Sequence, residues 1–152
     1  MTATSTRADL PSLTIATVSE RTGLTKDTLR WYEAEGLIPD VPRDHQGRRA
    51  YDERAVQMIA LVVRLRRTGM PVREMRDFIA MVSEGASSHG RRMTLLAEHR
   101  LRVLDQMAQL REDLGAIEAK AAHYAELISR GLDCDGAPVT DPTTITQQRS
   151  HR

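Results

Sequence analysis

The sequence predicts a mainly α fold: a winged helix-turn-helix DNA-binding head followed by a long dimerisation helix. Three stretches carry that expectation. Residues 24–38, Leu-Thr-Lys-Asp-Thr-Leu-Arg-Trp-Tyr-Glu-Ala-Glu-Gly-Leu-Ile, describe a short helix with a basic and aromatic face. Residues 43–51, Arg-Asp-His-Gln-Gly-Arg-Arg-Ala-Tyr, describe a basic hairpin. From Leu96 to Ile128 apolar side chains recur in heptads, the pattern of a helix that needs a partner helix.

The elements follow in order. Residues 1–12 are small and polar and read as a disordered tail. A head is expected over 13–84. Thr14-Ile15 suggests a short strand, and Thr17-Val-Ser-Glu20 fits a capping box that opens a helix over about 17–22. Gly23 stops it. Thr25 caps the second helix, Asp27 in its first turn suits the helix dipole, and Gly36 ends it near Glu35. Pro39 and Pro42 break the chain before the hairpin, whose tip at Gly47 calls for positive φ. Asp52 caps a third helix with Val56, Ile59, Ala60 and Val63 on one buried face. Gly69 ends that helix and Pro71 opens the next, with Val72, Met75, Phe78, Ile79 and Val82 on one side. Gly85–Gly90 reads as a loop.

The dimerisation helix is expected over 91–130. Leu96, Val103, Leu110, Ile117 and Tyr124 repeat every seventh residue, and Arg100, Met107, Leu114, Ala121 and Ile128 follow each by four. Arg100 is the one charged exception. At ~1.5 Å per residue such a helix runs roughly 50 Å, too long to bury its stripe on so small a head. A second copy is the natural partner. Residues 131–152 are polar, with Pro138, Pro142 and a Thr/Gln run, and read as a loose tail.

Composition narrows the function. The 152 residues carry a formal net charge of +1 and only 3% aromatics, which suits helices packed through aliphatic side chains better than one large core. Charge is distributed unevenly: Arg43–Arg67 holds seven Arg against Asp44, Asp52 and Glu53. A local basic patch is the footprint of a nucleic-acid face. The single cysteine, Cys134, permits no intrachain disulfide, and no apolar run suggests a signal peptide or membrane span, so the cytoplasm is the expected compartment. There is no Gly-rich phosphate loop, nucleophile elbow or paired carboxylate site, so an enzyme is not expected. One soft ligand flanked by Asp133 and Asp135 falls short of a thiolate metal centre, and His89, His99 and His123 read as solvated or packed, so no metal or cofactor is expected.

Recognition helices place their N-terminal residues at base edges, which selects Thr25, Lys26 and Thr28. Arg30, Trp31 and Tyr32 follow one to two turns later and suit phosphates and sugars. In the wing, Arg43, Arg48 and Arg49 flank Gly47, and Tyr51 closes the strand. Any small-molecule pocket would form where the head meets a partner helix, with Met70, Met75, Phe78 and Met81 as candidate lining, although a Met stripe on a helix is commonly core.

The run from Leu24 to Ile38, then Pro39, then Arg43-x4-Arg48-Arg49-x-Tyr51, resembles the MerR family of bacterial transcriptional regulators. Residues 64–79, Arg-Leu-Arg-Arg-Thr-Gly-Met-Pro-Val-Arg-Glu-Met-Arg-Asp-Phe-Ile, are similar to its NmlR/AdhR-like branch. The resemblance implies a homodimer joined by an antiparallel coiled coil. It implies a pseudo-palindromic promoter in double-stranded DNA whose −35 and −10 elements lie too far apart, and distortion of that DNA so that RNA polymerase engages both. Thr25, Lys26, Thr28, Arg30, Trp31, Tyr32, Arg43, Arg48, Arg49 and Tyr51 are the expected DNA-contacting set. Leu96, Val103, Met107, Leu110, Leu114, Ile117, Ala121, Tyr124 and Ile128 are the expected dimer seam. Trp31 stands where Tyr or Phe is usual. Arg64 stands where the branch keeps its reactive cysteine, so thiol sensing there is not expected and a small-molecule effector is. The competing reading is a protein-interaction adaptor of the chaperone-modulator type that keeps the fold without binding DNA; the arginines of the wing argue against it.

Overall fold

The computed structural model describes residues 12–150. The tail expected over 1–12 therefore lies, apart from Ser12, outside the described residues. Among the described residues the regular structure is helical: α1 (Ile15–Thr22), α2 (Lys26–Ala34), α3 (Glu53–Arg67), α4 (Val72–Ser83), α5 (His89–Arg130) and α6 (Pro142–Gln148). Pairing of extended chain is limited to isolated bridges, Leu13 with Tyr51, Arg43 with Arg49 and Leu132 with Pro138.

The chain starts its first helix earlier than the sequence suggests. Thr14 is the cap, not Thr17 and not part of a strand: its side chain accepts the Thr17 N–H at 3.3 Å. The extended backbone at Thr14 is that of an N-cap, and only Leu13 pairs with another segment, exchanging hydrogen bonds with Tyr51 at 2.7 and 3.0 Å. Gly23, at φ 73°, closes α1, and the Ser19 hydroxyl donates to the Leu24 carbonyl at 2.6 Å, pinning the turn into α2. Thr25 caps α2 by accepting the Thr28 N–H at 3.1 Å, and Asp52 caps α3 by accepting the Ala55 N–H at 2.7 Å.

The compact unit that begins the chain extends to Val103. Its core gathers Val18 of α1, Leu29 of α2, Leu37 and Ile38 behind it, and Tyr51, Ile59, Val62, Met70 and Met75. On α3 the deepest residues are Val56, Ile59, Val62 and Leu65, whereas Ala60 and Val63 are half-buried; the face is rotated from the one expected because α3 is covered from both the α1 side and the α4 side. The stretch expected as a loop at 85–90 is a single 3₁₀ turn, Gly85–Ser88, running into α5 at His89. Ser88 is fully buried and donates to the carbonyls of Met81 and Gly85. The first turns of α5 belong to this unit. Leu95 and Leu96 pack on its core, Thr68 Oγ1 lies 2.8 Å from His99 Nε2, and Arg102 pairs with Glu74. Leu96, expected on the dimer seam, is thus half covered by its own head.

The second unit begins at Leu104. It holds the remainder of α5, along which Leu104, Met107, Leu110, Leu114, Ile117 and Tyr124 lie exposed. Residues 131–150, expected as a loose tail, fold back. Leu132 N–H bonds Leu127 O at 2.9 Å, Val139 N–H bonds Gly131 O at 2.8 Å, and Asp141 caps α6 by accepting the Thr144 N–H at 2.7 Å. Gln148 Nε2 donates to the Leu132 carbonyl at 2.9 Å, and Leu127 is covered. Among the described residues no helix is long and apolar enough to cross a membrane.

Candidate nucleic-acid interface

The wing is set by one aspartate. Asp44 accepts the N–H groups of Gln46 at 2.8 Å and Arg48 at 2.9 Å, and also receives Arg48 Nε at 3.1 Å. The backbone hydrogen bond from Arg48 is the main cause that holds its carboxyl below the usual range. Asp44 N–H bonds Arg48 O, and Ala50 N–H bonds Pro42 O, so the turn is closed from both sides, with Gly47 at φ 73° at its tip. Arg49 reaches back to α2, its Nε 2.5 Å from Glu33 Oε2 with both side chains largely buried. That pair fastens the wing to the recognition helix.

These elements bring Arg30, Arg43, Arg48 and Arg49, with the Asp44 carboxylate among them, to one groove of about 390 Å³, closed on its other side by Ser12, Leu13, Thr14 and Ile15 at the start of α1. Four guanidinium groups and a helix N-terminus converge there, the arrangement that attracts phosphate. Arg30 is held by Asp27 at 2.7 Å in the same helix, and Arg43 and Arg48 are exposed. Lys26 is exposed at the first turn of α2, Thr25 is exposed at its cap, and Thr28 is half-buried beside it. Trp31 stands 48% exposed, its ring 5.6 Å from that of Tyr32.

Two of the expected contact residues are placed elsewhere. Tyr32 is buried in the core. Tyr51 is fully buried, its backbone paired with Leu13 and its hydroxyl without a hydrogen-bond partner among the described residues. Burial, the largest influence, raises its pKa; Tyr51 is a core residue and not part of the exposed wing surface. The candidate effector lining is also corrected. Met70 and Met75 are fully buried and Met81 is half-buried, whereas Phe78 borders a groove beside α5. Sequence reasoning did not find Thr14 or Asp44. Both carry a legible signal, a Thr three residues before another hydroxyl at a helix start and an Asp two before the turn glycine's neighbour.

Arg64 is exposed in the last turn of α3, and Cys134 is exposed in the turn after α5, where Asp133 and Asp135 bond backbone N–H groups at 2.6 and 2.8 Å. Among the described residues no three His, Cys, Asp or Glu side chains cluster as metal ligands would.

Comparison with known proteins places this arrangement. Residues 13–82 match the family model described as MerR HTH family regulatory protein, and residues 56–128 match the one described as MerR, DNA binding. An HTH-type transcriptional regulator of Haemophilus influenzae is 31% identical over 118 residues, 78% of this chain and 87% of that protein. The regulator AdhR of Bacillus subtilis is 34% identical over 93 residues, 61% of this chain and 66% of that protein. Among solved structures, HiNmlR, described as a MerR family regulator lacking the sensor domain and bound to promoter DNA, superposes with a TM-score of 0.71 at 31% identity, covering 79% of this chain and 95% of that one. A MerR family regulator from Bacillus thuringiensis gives a TM-score of 0.69 at 30% identity, over 74% and 99% of the two chains. The chain belongs to the MerR family of helix-turn-helix, DNA-binding transcriptional regulators, a family of regulators and not of enzymes.

Proposed function

We propose that two copies of this chain bind one promoter in double-stranded DNA and distort an over-long −35/−10 spacer so that RNA polymerase engages both elements in response to a small-molecule signal. The observation that carries the reading is the pairing of a four-arginine groove with an unpartnered apolar stripe on α5, where Ile117 is 66% and Leu110 60% exposed. An isolated chain leaves that stripe in water at a cost of roughly 1.5–3 kcal/mol per large side chain. Pairing with a second α5 covers it. Val103, Met107, Leu110, Leu114, Ile117, Ala121, Tyr124 and Ile128 then form the seam. A HiNmlR structure bound to promoter DNA supports the same use of the head here. Thr25, Lys26 and Thr28 face base edges, Arg30, Arg43 and Arg48 take phosphates, Trp31 lies on the sugar-phosphate surface, and Arg49 fixes the wing that presents them. The protein acts in the cytoplasm, at the nucleoid.

Genome-wide mapping of bound DNA, followed by transcription in vitro from a recovered promoter, tests it. Shortening the spacer by about two base pairs removes the need for a distorting regulator. Transcription from the shortened promoter is expected to become independent of the protein. Continued dependence sinks the distortion reading, and an absence of bound promoters sinks the regulator reading itself.

A further inference from the structure

A second groove, of about 480 Å³, lies between α4 and the first turns of α5. Phe78, Met93, Leu96 and Ala97 supply its apolar walls, and its ionisable groups, Arg92, Arg100 and His89, are all basic. Among the described residues no carboxylate lines it. The acids nearby are engaged elsewhere, Glu84 with Arg91 and Glu74 with Arg102. Among the described residues Arg92 reaches only the Gly85 carbonyl, at 3.2 Å, and its Nε–H is buried with no acceptor. Arg100 forms no ion pair among the described residues, and Met93 is 70% exposed. The groove thus presents two uncompensated guanidinium groups at the rim of an apolar surface.

We infer that this groove binds a small amphipathic anion, with its carboxylate or comparable acid head between Arg92 and Arg100 and its apolar body along Phe78, Met93 and Leu96. A carboxylate suits the planar, forked donors of both arginines. The apolar body covers Met93 and Leu96. The volume falls in the range of small-molecule sites. Position gives the ligand leverage, a point that rests on the regulator function proposed above. Arg100 is the one charged residue of the heptad series, so the dimer geometry that draws Arg100 into an apolar seam gains most when an anion neutralises it. A ligand that favours one geometry in this way shifts the equilibrium between two.

Decanoate, titrated calorimetrically into the full chain below its micelle concentration, is the probe, with decanol and decyltrimethylammonium as controls. Saturable binding of decanoate, at least ~10-fold tighter than either control, is expected. Arg92→Gln and Arg100→Gln should each weaken it by about 10-fold while circular dichroism shows unchanged folding, and Met93→Ala should weaken decanoate and decanol alike. Equal affinity for decanol and decanoate, indifference to both arginine variants, or absence of saturable binding overturns the site. A second copy filling the groove would make decanoate affinity fall as protein concentration rises, and that result overturns it too. Operator binding is measured on the same samples. Decanoate binding without operator binding leaves the site standing and removes only the regulator reading; the reverse removes only the site.

Discussion

Arginines that look alike in the sequence divide by their partners. Arg48 is exposed and leans on Asp44, whereas Arg49 is largely buried against Glu33 at 2.5 Å. Replacing Arg48 or Arg30 by Ala should therefore weaken binding to every sequence and flatten the slope of log K against log salt by about 1 unit per phosphate contact, with the melting temperature unchanged. Arg49→Ala should instead lower stability by roughly 1–3 kcal/mol, because Glu33 is left largely buried without its partner. Anisotropy titrations in graded salt, beside thermal melts, separate the two; an unchanged slope for Arg48→Ala removes it from the DNA face. His99 makes a different prediction. Thr68 Oγ1 donates to the Arg64 carbonyl at 2.8 Å, so its oxygen is free to accept from His99 Nε2–H, and Nδ1 is left facing an Arg102 nitrogen at 3.5 Å. Burial first, and Arg102 second, lower the His99 pKa below 6.5, against a smaller opposing effect of Glu74. The unfolded chain then takes up this proton at higher pH than the folded one. Stability should fall as pH drops below 6.5 and level off below the lowered native pKa. His99→Gln should flatten that dependence in melts from about pH 7.5 to about pH 5, and an equally steep curve would free His99 from the effect.

At the scale of elements, the sequence is legible wherever chemistry is local. Thr25 and Asp52 read as caps and are caps; Gly23, Gly36 and Gly69 read as stops and hold positive φ. The departures have physical reasons. Thr14 and Ile15 are β-branched and invite a strand, yet the Thr14 hydroxyl satisfies the free N–H of Thr17 in the first turn of α1. Gly85–Gly90 has the composition of a loop, but the positive φ of Gly85, at 71°, only turns the chain before α5 starts. Pro142 and the Thr/Gln run suggest a loose tail, whereas Asp141 followed by Pro142 is a good helix start. Tyr51 shows the limit of pattern reading: a tyrosine after two arginines looks like a contact residue, and only the fold reveals it in the core. The wing offers an element-scale test. At Gly47 a Cβ would meet nothing within 4 Å, so Gly47→Ala brings no clash and its cost is purely the left-handed backbone, about 1–2 kcal/mol. That strain should loosen the wing, weakening operator binding several-fold while the melting of the head changes little. Wild-type affinity would show that the turn contributes nothing to the grip.

At the scale of the whole molecule, the question is what covers α5. The groove of arginines can hold phosphate on a single chain, yet recognition of a two-fold site needs two heads at a fixed separation. Along α5 beyond Leu104, Leu110, Leu114, Ile117 and Tyr124 face solvent, whereas Leu127, near the turn that ends the helix, is covered. The dimer proposed above would join both facts in one cause. Leu110→Asp or Leu114→Asp places a carboxylate in the middle of the proposed apolar seam, at a cost on the order of several kcal/mol per dimer. In the separated chain the same position is exposed, so the substitution should leave the head folded. Sedimentation is expected to show monomer, helix content and melting of the head should persist, and specific operator binding should collapse while weak, salt-sensitive binding to any DNA remains. A variant that sediments as an intact dimer and still protects both half-sites would place the interface somewhere other than this stripe.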